Sequence, residues 1–178
     1  MRRTDSGTVS VSYTAYLLDL ALKLQTRPEW LENLINFESG FKPGARNPYT
    51  GARGLIQFMP DTARALGYKD ADDLVRLNPS IPEQLRGPVY AYLKRFAPFP
   101  TEQSLYMAVF YPAARNIPID TPFSAKVQAV NPGIKTVRDY INKVRSNAGL
   151  KKLETTAAPL LLLMAAALFY YLIQRGKL

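Results

Sequence analysis

The chain has 178 residues, 47% hydrophobic and 21% charged, enough for one globular domain with a core plus appendages. It contains no cysteine and no histidine, which excludes disulfide frameworks, thiol chemistry, the common zinc sites and Ser-His or Cys-His catalysis. Carboxylates are left as the acid–base groups near neutral pH, and the net charge of +9 favours polyanionic surroundings.

Residues 1–12 are small and polar, led by Arg2 and Arg3, and read as a loose arm. They hold no sustained apolar stretch ahead of a cleavage site, so no secretory signal is expected. Tyr16, Leu17, Leu20, Ala21 and Leu24 predict a first amphipathic helix ending near Thr26. Pro28 suits the first position of a second helix, because its missing N–H falls among donors that are unpaired there anyway. Gly40 stops that helix.

Counting from Pro28, Leu31, Leu34, Ile35 and Glu38 fall at i, i+3, i+4 and i+7. Glu38 thus shares a face with leucines, at a helix C-terminus. Desolvation and the negative end of the helix dipole both raise a carboxyl pKa in such a place, as suits a general acid. A Glu at a helix end is more often a solvated residue at the margin of the apolar stripe, so position alone does not decide between the two.

A Gly/Pro/Asn-rich loop follows over 42–54, and then a short apolar run, 55–59. There Leu55, Gln57 and Met59 alternate with Ile56 and Phe58, which predicts a short β element with Gln57 as the polar member of its face. Pro60-Asp61-Thr62-Ala63 opens a third helix ending at Gly67, and 70–77, 83–96 and 104–110 read as further helices. A Pro-rich connection (Pro112, Pro118, Pro122, Pro132) leads to a last helix over 134–146. The run 157–173, AAPLLLLMAAALFYYLI, has no charge and is bracketed by Lys151 and Lys152 before it and Arg175 and Lys177 after it. A bilayer core takes about 20 apolar residues, and Tyr170 and Tyr171 sit where interfacial rings belong. A C-terminal transmembrane helix is expected there. The organisation expected is an arm over 1–12, a catalytic domain over 13–150 and a membrane anchor over 151–178.

Glu38-Ser39, Gly51-Ala52, Gly54-Leu55-Ile56-Gln57 and Met59-Pro60-Asp61-Thr62-Ala63 together resemble the signature of the soluble-lytic-transglycosylase family, lysozyme-like enzymes that cleave peptidoglycan. The resemblance is dense over 38–63 and thinner afterwards. It implies a mainly α, goose-type lysozyme-like domain with Glu38 as catalytic acid and Ser39 beside it in the substrate site. It also implies Gln57 and Met59 along the sugar groove. A loop residue that helps to position the sugar aligns with Asn47 if an insertion is allowed before Gly51. Where the family has A-Y-N-A-G, this chain reads Ala108-Val109-Phe110-Tyr111-Pro112-Ala113. Phe110 takes the Tyr position and Tyr111 the Asn position, which leaves a hydrogen bond of the family open. Thr136-Val137-Arg138-Asp139-Tyr140-Ile141 is similar to the family segment whose Tyr lies near the catalytic Glu, although Val137, Tyr140, Ile141 and Val144 also form a plain core stripe.

Hydrolytic glycosidases usually need two carboxylates. Asp61 follows Pro60 in a helix first turn, where a carboxylate complements the dipole, and Asp70, Asp72 and Asp73 read as a cap or solvated cluster. The resemblance implies a single-Glu mechanism. Glu38 protonates the bond between N-acetylmuramic acid and N-acetylglucosamine, then serves as base on the muramyl C6 hydroxyl, closing a 1,6-anhydro ring. An intramolecular nucleophile needs no positioned water. Neither a cofactor nor a metal is expected. A hydrolytic lysozyme on the same scaffold is the alternative, followed by a non-catalytic structural protein of a virion membrane. The expected partners are peptidoglycan strands, a membrane through the C-terminal helix and other virion proteins. The basic residues are spread along the chain without a nucleic-acid motif, so no specific nucleic acid is expected. A bacteriophage particle that opens the wall at entry is the expected setting, since wall substrate lies outside the cytoplasmic membrane.

Overall fold

A computed structural model describes residues 6–149, with side chains described over 13–147. The chain divides into two units, Met1–Ala148 and Gly149–Leu178. The first is mainly helical.

Helix α1 (Ser6–Leu24) starts inside the stretch expected to be an arm. It packs on α2 (Pro28–Ser39) through Leu17, Leu20, Ala21 and Leu24 against Leu31, Leu34 and Ile35, all buried. Pro28 occupies the first turn of α2 as expected. Gly40 ends it in the left-handed region at φ 58°, its N–H donating to the Asn36 carbonyl at 2.9 Å. That conformation costs glycine little.

The expected β element over 55–59 is not formed. Residues 54–57 make a turn, and extended pairing around it consists of the isolated bridges Arg46–Arg53 and Arg53–Phe58. Leu55, Ile56 and Phe58 are all buried, so the alternation of faces is lost, and Gln57 sits at φ +53°. The tight turn puts consecutive apolar residues on the same core. Buried Gln84 holds it in place by accepting from the Leu55 N–H at 2.9 Å and donating to the carbonyls of Pro43 at 2.8 Å and Asn78 at 3.0 Å.

Short helices α3 (Pro60–Ala65) and α4 (Ala71–Leu77) follow, the second capped by the Asp70 carboxylate on the Asp73 N–H. The helix expected over 83–96 is three pieces: α5 (Ile81–Gln84), a π-helical segment (Leu85–Val89) and α6 (Tyr90–Leu93). Gly87, at φ −94° and ψ −106°, and Pro88 interrupt it, the proline supplying no N–H to a continuous helical ladder. Helix α7 (Glu102–Phe110) buries Leu105 through Ala108. The Pro-rich connection contains a further helix, α8 (Ala125–Val130), whose N-terminus Ser124 caps. Helix α9 (Val137–Gly149) closes the unit, with Val137, Tyr140, Ile141 and Val144 turned inward.

The expectation of a transmembrane helix is corrected: no helix of the described residues is long and apolar enough to cross a membrane. The longest, α1, has 19 residues, but serines, threonines, Asp19 and Lys23 keep it too polar. The run 157–173 lies outside the described residues.

Candidate active site

Tyr140 owes its place to the way α9 begins. The Asp139 carboxylate accepts from the backbone N–H groups of Lys135 at 3.0 Å and Thr136 at 2.9 Å, while the Thr136 hydroxyl accepts from the Asp139 N–H at 3.2 Å. These bonds hold the Asp139 carboxyl below its ordinary range. Arg138 reaches back to the Asp120 carboxylate with two hydrogen bonds, at 2.5 and 2.7 Å, and its N–H donates to the Ile119 carbonyl at 2.9 Å. The first turn of α9 is thus pinned to the preceding connection, and Tyr140 projects from a fixed register.

The Tyr140 hydroxyl donates to Glu38 Oε1 at 2.7 Å. Its ring is stacked on Phe110, with centroids 4.3 Å apart and planes at 22°, and meets Phe37 edge-on at 5.5 Å. Phe110 packs edge-on against Phe123 at 5.6 Å in turn. Aromatic rings thus fix the hydroxyl that faces the carboxylate.

Glu38 is only partly accessible, and its carboxyl is raised from its ordinary value of 4.5 to about 7. Desolvation by its surroundings is the larger cause, and the Tyr140 hydrogen bond, which favours the carboxylate, opposes it. Desolvation and hydrogen bonding also push Tyr140 well above its usual range, so its hydroxyl keeps its proton and stays a donor.

Glu38, Phe37, Phe110 and Tyr140 line a cleft of about 280 Å³. The end of α8 and the turn after it, Val130, Asn131, Pro132 and Ile134, also line it, as does Lys143 of α9. Among the described residues Glu38 is the one acid in this lining. A protonated, desolvated carboxyl fixed by a neutral hydroxyl can give a proton to a bound ether oxygen and take one back.

Of the site residues expected from sequence, Glu38, Phe110 and Tyr140 meet in this cleft. Ser39 adjoins Glu38 along the chain, but its hydroxyl donates to the Ile35 carbonyl at 3.0 Å, within its own helix. The Asn47 carboxamide oxygen accepts from the N–H groups of Tyr49 and Thr50, closing a turn. Gln57 donates to the Gly54 carbonyl at 3.0 Å. Met59 is 45% exposed at the start of α3, and Tyr111 packs edge-on against Phe123 at 5.9 Å. None of these five lines the cleft. The wall over 130–134 and Lys143 were absent from the sequence expectations. Ser124, a capping residue ahead of a short apolar stretch, was the available signal for the α8 wall.

Residues 16–84 match the family model of the transglycosylase SLT domain. Over this segment the chain is similar to soluble lytic transglycosylases. No solved structure matches it. An SLT domain is a lysozyme-like unit directed at peptidoglycan, and the matched segment contains Glu38, Ser39, Asn47, Gln57 and Met59. Phe110, Tyr111 and Tyr140 lie beyond the match, so the contact of Tyr140 with Glu38 is an observation of geometry independent of it.

Proposed function

We propose that the protein is a peptidoglycan lytic transglycosylase in which Glu38 is the single acid–base group. The observation that carries the reading is the Glu38 carboxyl itself, raised to about 7 and held by Tyr140 in the cleft. Near neutral pH such a group exists in both protonation states, as a residue serving first as acid and then as base requires.

In the first half of the reaction, Glu38 gives its proton to the glycosidic oxygen as the bond to the muramyl C1 breaks. The Tyr140 hydrogen bond stabilises the carboxylate so formed. In the second half, that carboxylate takes the proton of the muramyl C6 hydroxyl while the C6 oxygen bonds to C1, closing the 1,6-anhydro ring and restoring the acid. No water enters. A hydrolase of the usual two-carboxylate kind would need a second acid to activate water or attack C1, and a lining with one acid among the described residues supports the intramolecular route. Mass spectrometry of fragments released from purified wall tests this: 1,6-anhydro ends are expected, and reducing ends would make the protein a lysozyme.

We further propose that this activity is carried in a phage particle and opens the wall at entry, since its substrate lies outside the cytoplasmic membrane. Detecting the protein in purified particles tests it, and its absence from them would overturn it.

A further inference from the structure

Helix α9 carries three cations that the structure treats differently. Arg138 is paired with Asp120, and Arg145 with Glu102. Lys143, between them, has no carboxylate within ion-pair distance among the described residues, and its ammonium reaches only the Pro132 carbonyl, at a long 3.5 Å. It stands three residues after Tyr140, on the same helical face and about 4.5 Å further along the axis. Both side chains line the cleft that contains Glu38. The rest of that wall is largely apolar, and the Asn131 carboxamide nitrogen is committed to the Val127 carbonyl at 2.9 Å. An exposed cation that lines the cleft, with no carboxylate partner among the described residues, is placed to meet a negative charge on whatever the cleft takes in.

We propose that Lys143 is a specificity-determining residue of this cleft, reading the carboxylate that a muramyl sugar carries through its 3-O-lactyl ether. The proposal rests on the peptidoglycan reading above. The muramyl and glucosaminyl units share the N-acetyl group and the pyranose ring; the lactyl ether is what sets them apart. It ends in a free carboxylate in peptide-free strands and leads to the carboxylates of the peptide stem in intact ones. A lone ammonium near Glu38 therefore favours seating the muramyl unit in the cleft, so that its own C6 hydroxyl is the one presented to the reacting carbon.

The test uses the full chain carrying Glu38→Gln, so that binding is measured without cleavage. Calorimetry compares three probes: peptide-free glycan strands, peptide-bearing strands and uncharged oligomers of N-acetylglucosamine. Adding Lys143→Gln is expected to lower the preference for peptide-free strands over the uncharged oligomers roughly fivefold, as for a solvent-accessible ion pair. Lys143→Arg is expected to restore the preference, and added salt to erase it. A loss confined to peptide-bearing strands would assign the recognised carboxylate to the stem. Equal weakening on charged and uncharged probes, no change, or binding to none of the three would overturn the proposal. Cleavage of wall by the wild type is scored separately, so a protein that binds muramyl strands selectively yet releases no fragments contradicts the catalytic reading and not this one.

Discussion

The hydroxyl of Tyr140 and the carboxylate of Glu38, 102 positions apart in the chain, are joined by a 2.7 Å hydrogen bond that ties α9 to α2 in the lining of the cleft. That bond favours the charged form of Glu38 and works against the desolvation that raises it. Removing the hydroxyl therefore pushes the Glu38 pKa further up. In Tyr140→Phe the alkaline limb of the pH–rate profile should move to higher pH. A tyrosine that merely filled the core would leave the position of that limb where it is in the wild type, whatever it did to stability.

Glu38 also predicts a stability effect. Its pKa lies near 7 when folded, against an ordinary 4.5. Between those values the folded chain holds a proton that the unfolded chain has released, so stability falls as pH rises through the interval. Below 4.5 both states are protonated and nothing is lost; above 7 the loss is complete. Glu38→Gln cannot titrate. Urea denaturation should show the variant gaining on wild type as pH is raised across this window, and parallel curves would refute the desolvation of Glu38.

How much of this was legible beforehand depended on how local each cause is. The apolar face that carries Glu38 follows from 3.6-residue periodicity within α2, and Gly40 marks its end, so both could be read from a short window. The alternation at 55–59 was equally visible and misleading. What decides that segment is Gln84, 29 residues away, which captures the Leu55 N–H and holds a turn in which both Leu55 and Ile56 are buried. Lys143 looked like any solvated cation of an amphipathic helix. Only the pairing of Arg138 and Arg145 and the arrival of the 130–134 wall set it apart. Family resemblance pointed to Tyr140, whereas periodicity could only put it in the core stripe.

Gln84 and Gly54 make a coupled pair. Gly54 lies at φ +80°, and a Cβ there would come within 2.7 Å of Gln84 Oε1. Gln84→Ala strips the Leu55 N–H of its acceptor and two carbonyls of their donor, at a cost of roughly 2–4 kcal/mol. Gly54→Ala should cost about 1–3 kcal/mol through its backbone conformation and the close approach. Once Gln84 is alanine the clash is gone, so Gly54→Ala should cost less in that background than in wild type. Urea midpoints of the four forms measure this, and strict additivity would show that the two residues do not press on one another.

The central claim is that Glu38 alone supplies the acid and base in the cleft. The most direct measurement is the rate at which wild type and Glu38→Gln release soluble fragments from purified peptidoglycan, with circular dichroism confirming that both are folded. The glutamine can neither give the proton nor take it back, so the rate should fall by roughly 10²–10⁴-fold or more, while Asp61→Asn, outside the cleft lining, should cleave at close to the wild-type rate. Cleavage by folded Glu38→Gln at the wild-type rate would contradict the account.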